Sequence, residues 1–344
     1  MNNETRKETQ VLPKDVRYVG ADDLTLPLFE NQYPVQPMGV SYNSYLILDE
    51  KIAVMDSVDA RAADEWLAKL AHELDGRSPD YLVISHMEPD HSGSILRLAE
   101  KYQEMKLVGN TKTFTMLRQF FGAKAPTDDR LLEVGEGETL PLGAHTLHFM
   151  LAPMVHWPEV MVAYEETEKL LFSADAFGRF GSLGRTANAP WAPQARRYYY
   201  NIVGKYGAQV QALLKKASAL EIKTVCPLHG PVLTGEALGE ALRLYDLWSR
   251  WQSESPDDIL LAHASIHGNT ARAAELFKQK LEAKGARVTL CDLTTTEVSY
   301  AVANAFYCGK LVLACSTYDG GLFPPMEEFL SHLQAKGFRS RTVG

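Results

Sequence analysis

Short apolar runs and helical periods follow one another along most of the chain. Apolar residues over 39–48 and 51–58 flank the polar pair at 49–50, which predicts a β-hairpin, and a helical period follows over 60–74. An apolar strand then runs into a polar loop near residue 86, and helical periodicity resumes at about Ile95. Further strands are predicted within 145–153, 160–165, 169–175 and 223–230, and helices over 198–220 and 236–251. Runs of strands with flanking helices predict an α+β sandwich of two sheets covered by helices.

The pattern changes at residues 252–258, a polar stretch with a proline. Beyond it strands and helices alternate, with predicted strands at 259–264, 287–291 and 311–315 and predicted helices at 270–283, 297–306 and 325–335. This alternation predicts an α/β fold with a doubly wound parallel sheet. We therefore expect two domains, residues 1–254 and 255–344.

Composition excludes several classes of partner. A chain of 344 residues with 46% hydrophobic content has room for two cores. The net charge of -8, with both signs interspersed, predicts no nucleic-acid face and no anionic membrane surface as partner. Residues 1–18 carry no apolar signal sequence, and no apolar run reaches the roughly 20 residues of a membrane span, so a cytoplasmic location is expected.

The cysteines predict neither a disulfide framework nor an iron–sulfur or rubredoxin centre, because they are scattered and form no CxxC pair. All four are expected to be buried, inert thiols: Cys226, Cys291, Cys308 and Cys315.

The densest chemical signal is the segment His86-Met87-Glu88-Pro89-Asp90-His91, with four potential metal ligands in six residues. Side chains alternate as a strand ends, so His86 and Glu88 can face one centre while the turn at Pro89 directs Asp90 and His91 towards another. The segment therefore predicts two adjacent metal positions.

Three more candidate ligands stand where apolar strands meet turns: His156, Asp175 and His229. Taken singly, such a histidine is more often structural, and such an aspartate more often forms a turn or a helix cap. The joint pattern favours metal binding. The other histidines lack such neighbours and are expected to be structural or surface residues: His72, His145, His148, His263, His267 and His332.

Two loops in the second part of the chain suggest a mononucleotide site. Each follows a predicted strand, and in doubly wound sheets ligands bind at the carboxyl ends of the strands. The first loop also opens a helix, whose N-terminal amides favour phosphate. The candidate mononucleotide-binding residues are Ser265, His267, Gly268, Asn269 and Thr270 in the first loop and Ser316, Thr317, Tyr318, Asp319, Gly320 and Gly321 in the second.

The order HxExDH, His, Asp, His resembles the metallo-β-lactamase superfamily, and specifically its flavodiiron branch, over nearly the whole chain. The resemblance implies a metallo-β-lactamase-like αββα sandwich followed by a flavodoxin-like domain that binds FMN rather than NAD or FAD. It also implies two irons. His86, Glu88, His156 and Asp175 would bind one iron, and Asp90, His91, Asp175 and His229 the other, with Asp175 bridging.

The acidic residue at position 88 bears on the choice of metal, because hydrolases of this superfamily usually carry histidine there. An oxygen anion favours iron over zinc and stabilises oxidised iron. Redox chemistry is therefore expected. A zinc hydrolase with a flavodoxin-like appendage stays as the alternative, and a non-catalytic electron carrier is a further one.

By the same resemblance, FMN would collect electrons from a separate rubredoxin or flavin reductase and pass them to the diiron centre. That centre would reduce O2 to water or NO to N2O, and the residues do not separate the two substrates. A head-to-tail homodimer is implied. A flavodoxin-like sheet has five strands, whereas the fourth begins only at 341–344, so the domain is expected to be truncated by about 50 residues.

Overall fold

The structure, a computed structural model, describes residues 12–344. Most of residues 1–18, which were predicted to carry no signal sequence, lie outside the described residues. Two compact units are present: residues up to Ala195 with Ala212–Leu242, and Arg196–Gln211 with Arg243–Gly344. The predicted boundary at residues 254 and 255 divides the chain differently, because two segments before it belong to the second compact unit. The boundary itself stays a prediction.

The strands of the first unit are β1 Val16–Tyr18, β2 Ala21–Asp23, β3 Leu28–Phe29, β4 Tyr33–Pro34, β5 Val40–Tyr42, β6 Tyr45–Ile47, β7 Ala53–Met55, β8 Tyr81–Val83, β9 Lys106–Gly109, β10 Leu131–Glu133, β11 Thr139–Pro141, β12 Thr146–Leu151, β13 Met161–Glu165, β14 Leu170–Phe172, β15 Thr224–Cys226 and β16 Leu233–Thr234. They form two six-stranded sheets and two short pairings, β2–β5 and β3–β4.

The helices of the chain follow, numbered in the same order. They are α1 Ala63–Leu74, α2 Pro89–Ser92, α3 Ile95–Lys101, α4 Thr111–Phe121, α5 Leu183–Thr186, α6 Trp191–Tyr198, α7 Gly207–Ala217, α8 Gly235–Ser249, α9 Asn269–Glu282, α10 Val298–Tyr307 and α11 Pro324–Ala335. None of the helices in the described part of the chain is long and apolar enough to cross a membrane.

The two large sheets have the orders β1-β6-β7-β8-β9-β10 and β11-β12-β13-β14-β15-β16. Buried side chains from both sheets, among them Val83 and Val108 from one and Phe149 and Phe172 from the other, form one apolar cluster. Burying an apolar face on each sheet is the main stabilisation of such a sandwich. The predicted hairpin is present as the antiparallel pair β6–β7, in which Ile47 lies opposite Ala53.

Buried and more exposed side chains alternate along β12, which places one face of the strand against the core. Leu147 and Phe149 are buried in the core, whereas His148 points outward and lies 2.8 Å from Glu166. His145, just before the strand, is buried and its Nδ1 lies 3.1 Å from Oε1 of Glu165. Neither histidine belongs to a cluster of potential metal ligands.

The strands of the second unit are β17 Ser255–Ala264, β18 Val288–Asp292, β19 Cys308–Cys315, β20 Thr317–Tyr318, β21 Gly321–Leu322 and β22 Thr342–Val343. Four of them form a sheet of order β18-β17-β19-β22 in which neighbouring strands are parallel, and β20 and β21 form a short hairpin. Helices α9, α10 and α11 connect the parallel strands, as the alternating pattern predicts.

One predicted helix is wrong in its continuity. The helix expected over 198–220 is interrupted by a π-helical turn, Tyr199–Val203, and a 3-10 turn, Gly204–Tyr206, before α7 begins. A Cβ at Gly207 would lie 2.3 Å from the carbonyl oxygen of Ser249, so this point requires glycine for close backbone packing. Tertiary packing, including the Tyr200 ring stacked 4.0 Å from that of Phe306, therefore overrides the local helical period.

The cysteine prediction holds for three residues and fails for one. Cys226, Cys291 and Cys308 are buried and free, and burial raises the pKa of each thiol. Cys315 is free but only partly buried, because it ends β19 beside the second candidate flavin loop.

Candidate functional site

The seven predicted metal ligands all lie just beyond strands of the first unit. His86 follows β8, and Asp90 and His91 lie in the single-turn helix α2, which begins at Pro89. His156 lies in the loop between β12 and β13. Asp175 and His229 follow β14 and β15, which are parallel neighbours. Because the carboxyl ends of parallel strands meet at one edge of a sheet, residues far apart in sequence converge there.

A first set of four residues comprises His86, Glu88, His156 and Asp175, whose donor atoms lie within 4.8 Å of one another. Nε2 of His156 lies 3.1 Å from Oε2 of Glu88 and 3.0 Å from Oδ2 of Asp175. Nε2 of His86 lies 3.2 Å from the same Glu88 oxygen. Two imidazole nitrogens and two carboxylate oxygens thus surround one point, a donor set suited to a divalent metal.

A second set comprises Asp90, His91 and His229, again within 4.8 Å of one another. Nε2 of His91 and Nε2 of His229 face each other at 3.1 Å, and Oδ2 of Asp90 lies 3.2 Å from Nε2 of His229. Oδ1 of Asp175 lies 3.3 Å from Nε2 of His91. Asp175 therefore directs one carboxylate oxygen to each set, which is the arrangement of a bridging ligand.

Within the cluster, the buried carboxylates raise the pKa of two histidines, and the histidines lower the pKa of Asp175. Burial opposes a positive charge on His156, but the carboxylates of Asp175 and Glu88 outweigh it and raise the pKa of His156 to about 9. His86 behaves alike: burial is opposed by Asp175, Glu159 and Glu88, and the pKa of His86 rises well above its usual value. Burial opposes ionisation of Asp175, yet the surrounding histidines hold its pKa well below the usual value.

Several donor atoms in this cluster have no hydrogen-bond partner among the described residues. Oδ1 of Asp90 and Nδ1 of His91 are buried in this condition, and Oδ2 of Asp90 and Oδ1 of Asp175 are buried with imidazole nitrogens at 3.2 and 3.3 Å. Buried polar atoms without partners are costly, and metal ligation is one way to satisfy carboxylate oxygens. The residues present therefore fit a pair of metal ions.

Two residues outside the predicted set hold the histidine rings. Oε1 of Glu159 lies 2.8 Å from Nδ1 of His86, and the carbonyl oxygen of Ser41 lies 2.7 Å from Nδ1 of His229. A proton on Nδ1, donated to these oxygens, leaves the Nε2 lone pair directed at the cluster. Position 159 follows His156 in the motif HWPE, but nothing in the sequence pattern shows which ring nitrogen its side chain meets.

The candidate flavin loops lie together in the second unit. Ser265 begins the first loop, directly after β17, and its Oγ accepts a hydrogen bond from the Gly268 amide at 3.0 Å. Oγ1 of Thr270 lies 2.9 Å from Oγ of Ser316, so the two loops meet across the parallel strands β17 and β19. Gly268 has φ +82° and open space where a Cβ would be, at the start of the 14-residue helix α9.

The second loop is a short hairpin. Asp319 and Gly320 join β20 to β21 with φ values of 48° and 75°, as in a two-residue turn with both central residues left-handed. Tyr318 is 47% exposed and its ring lies 5.8 Å from that of Phe323. The other predicted residues of these loops, His267, Asn269, Thr317 and Gly321, are also exposed. The loops thus form an open polar cradle beside an aromatic side chain, which fits a phosphate and a flat ring.

Comparison with known proteins gives this fold and these two sites a context. The family described as ODP family beta lactamase matches residues 40–230. Rubredoxin-oxygen oxidoreductase of Megalodesulfovibrio gigas is 29% identical over 335 residues, which cover 93% of this chain and 80% of the relative. The anaerobic nitric oxide reductase flavorubredoxin of Vibrio vulnificus is 27% identical, with 95% of this chain and 67% of the relative covered.

Among solved structures, the flavodiiron protein from Giardia intestinalis superposes with a TM-score of 0.89 at 27% identity. The match covers 96% of this chain and 81% of that one. It confirms the predicted fold class, a metallo-β-lactamase-like sandwich with a flavodoxin-like sheet. The family match spans more than half of the chain and includes all seven clustered residues. The chain therefore belongs to the ODP family of β-lactamase-like proteins, in its flavodiiron branch.

Proposed function

We propose that this protein is a flavodiiron reductase in which FMN supplies electrons to a non-haem diiron centre that reduces O2 to water or NO to N2O. The observation that carries the proposal is the convergence of two ligand sets on Asp175, with one carboxylate oxygen towards each. Two metals side by side would hold both atoms of O2 or two NO molecules, and the ferrous ions together with reduced FMN would supply the electrons.

The ligands of one iron would be His86, Glu88, His156 and Asp175. The other iron would be held by Asp90, His91, His229 and the second oxygen of Asp175. Three carboxylates, Glu88 among them, make the site harder and more anionic than an all-imidazole pocket, which supports iron. The chain's own part in the reaction is to hold these donors apart from solvent, since six of the seven side chains are buried.

In the second unit, FMN would bind to the two meeting loops. The hydroxyls of Ser265 and Thr270 and the first amides of α9 would hold the phosphate, assisted by His267, Gly268 and Asn269. The second loop, Ser316, Thr317, Tyr318, Asp319, Gly320 and Gly321, would line the ring. Its open, exposed hairpin leaves room for a flat ligand.

The partners in this proposal follow from the named relatives and from the family resemblance. A rubredoxin or a flavin reductase would donate the electrons, as the name rubredoxin-oxygen oxidoreductase indicates for one relative. Two chains would associate head to tail, so that the flavin of one subunit lies beside the diiron centre of the other. A cytoplasmic location is part of the proposal and is supported by the four free thiols, which suit a reducing compartment.

The test is turnover of the full chain loaded with Fe(II) and FMN under argon. After chemical reduction, O2 and NO are added in separate experiments, and consumption of each gas and reoxidation of the flavin are recorded. We expect rapid consumption of at least one gas, dependent on both cofactors. Binding of two zinc ions with hydrolysis of an ester or lactam, and no gas consumption, would contradict the proposal.

The zinc-hydrolase alternative is not favoured. The relatives reported above are named for the reduction of oxygen or nitric oxide. An electron carrier with an inactive first unit is also less consistent with seven converging ligand side chains.

A further inference from the structure

The two metal positions differ in what supports their histidines. Nδ1 of His86 meets a carboxylate, whereas Nδ1 of His229 meets the carbonyl oxygen of Ser41. Nδ1 of His91 is buried without a hydrogen-bond partner among the described residues. One position thus has an anionic outer partner, while the other has a neutral partner for one histidine and none for the second.

The anionic partner, Glu159, is fixed and dry. Its side chain is fully buried, and Oε1 lies 2.8 Å both from Nδ1 of His86 and from the Met87 amide, which donates to it. Its own carbonyl oxygen accepts a hydrogen bond from Nδ2 of Asn110 at 2.6 Å. Because Asn110 also caps α4 through Oδ1, the loop that carries Glu159 is attached to a helix end. Water therefore cannot replace the Glu159 carboxylate at Nδ1 of His86 unless this loop rearranges.

The second oxygen of Glu159, Oε2, is buried and has no hydrogen-bond partner among the described residues. A carboxylate used only as a structural acceptor would normally have both oxygens satisfied. Here its negative charge is left to act on His86, in surroundings where water does not screen it. Such a carboxylate makes the imidazole a stronger donor to a metal.

We propose that Glu159 is a positioning residue that makes the two metal positions unequal, so that the His86 position binds a divalent metal first and more tightly. Glu159 fixes the His86 tautomer and places a carboxylate against Nδ1 of a ligand, a contact that neither His91 nor His229 has among the described residues. The inference rests on the proposed dinuclear site.

The experiment uses the full chain, stripped of metal and titrated with Co(II) under argon by calorimetry and visible spectroscopy. The native chain should bind two equivalents in two separable steps. In E159Q the amide oxygen can still accept both hydrogen bonds, so only the charge is removed. We expect the first step to weaken by about 10- to 100-fold while the second step is unchanged. E159A, which also removes the hydrogen bonds, should weaken the first step further.

E165Q is the matched control. Glu165 is likewise fully buried and accepts hydrogen bonds from two backbone amides, of Thr167 and Glu168, but it contacts none of the seven ligands. It should leave both binding steps unchanged. Circular dichroism and thermal unfolding of each metal-free variant report whether the fold is kept.

The outcomes separate the two proposals. Failure of the native chain to bind two equivalents would contradict the dinuclear site itself. Two steps that E159Q leaves unchanged, or that E159Q and E165Q weaken alike, would overturn the role of Glu159 and leave the dinuclear site intact.

Discussion

The two candidate sites of this chain are built in opposite ways. The metal-ligand cluster is buried and crowded, with charged side chains held at 3.0–3.6 Å from one another before any ion is considered. The flavin loops are largely exposed, with a left-handed glycine, a hairpin turn, and side-chain hydrogen bonds between Ser265 and the Gly268 amide and between Thr270 and Ser316. One site is shaped by side-chain charge and the other mainly by backbone.

This difference teaches where each cofactor's binding energy would come from. Like and unlike charges packed without solvent are stable only when balanced, so the cluster requires cations, either protons or metals. The loops present backbone amides and hydroxyls that water can also satisfy. Changes in the cluster should therefore have large, all-or-none effects, whereas changes in the loops should have small, graded ones.

The largest effect is expected for D175N, which removes charge from the one side chain shared by both ligand sets. An amide nitrogen cannot ligate a metal as the carboxylate oxygen does, so one metal position loses a donor. We expect at least one metal equivalent to be lost, with affinity falling by more than the roughly 100-fold limit typical of outer-shell changes, and gas reduction to fall alongside. Metal content by elemental analysis is the measurement.

D22N serves as its control, because Asp22 accepts hydrogen bonds from the Leu183 and Gly184 amides in the same unit without touching the cluster. It should keep both metals. FMN content should be the same in both variants, since the flavin loops form a separate site. A D175N protein that retains two metals would remove the contrast between the sites.

The second effect concerns pH. In the metal-free protein the pKa of His156 is raised to about 9 from an ordinary value near 6.5, so at pH 7 the ring carries a proton that a metal must displace. Metal affinity should therefore rise by about tenfold per pH unit for each proton released, up to about pH 9. Calorimetry of Co(II) binding in buffers of different ionisation enthalpy counts the protons released.

The folding stability of the metal-free protein depends on pH in the opposite direction to its metal affinity. A histidine whose pKa is raised in the folded state adds stability that is complete below its unfolded value near 6.5 and is lost as pH rises through about 9. The metal-free chain should thus lose stability between these values, while metal-loaded protein should not. FMN binding should show no matching proton release, and finding one would show that titrating groups also shape the flavin site.

A smaller effect is expected in the flavin loops from T270V, which keeps the shape of the side chain and removes the hydroxyl that meets Ser316. One lost hydrogen bond is worth about 0.5–1.5 kcal/mol, so FMN affinity should fall by a few-fold to about tenfold. Flavin fluorescence titration measures it. T289V, at an exposed position on β18 of the same sheet, should leave FMN affinity unchanged, and an equal loss there would argue against the assigned loop.

Much of this fold was predictable because its signals are local. Helices α9, α10 and α11 lie within one residue of the predicted bounds at both ends, since strict alternation of strand and helix marks each element. The two-sheet sandwich followed from runs of apolar strands. The interrupted helix after Tyr198 was not predictable, because its break depends on the approach of Ser249 to Gly207, which is distant in sequence.

The candidate metal site was predictable as a set of seven residues, because ligands placed at strand ends leave a visible pattern. The contacts that hold the ligand histidines in place were not predictable. Glu159 is visible as a residue of HWPE, but its contact with Nδ1 of His86 depends on how the β12–β13 loop folds against β8. The backbone carbonyl of Ser41 leaves no signal at all, because a carbonyl oxygen is the same in every residue.

The smallest effect, and the sharpest test of a backbone-built flavin site, comes from G268A. Gly268 has φ +82°, and alanine there costs about 1–2 kcal/mol of folding stability although no atom stands within 4 Å of the added methyl group. Gly285, at the other end of α9, has φ +87° and equally open surroundings, so G285A should lower the unfolding midpoint by the same amount. Only G268A should also weaken FMN binding, by a few-fold, because the methyl group stands where the phosphate must approach the amides of α9. Equal FMN affinity in the two variants would show that the flavin phosphate does not rest on this turn, and the loop would then be open for structural reasons alone.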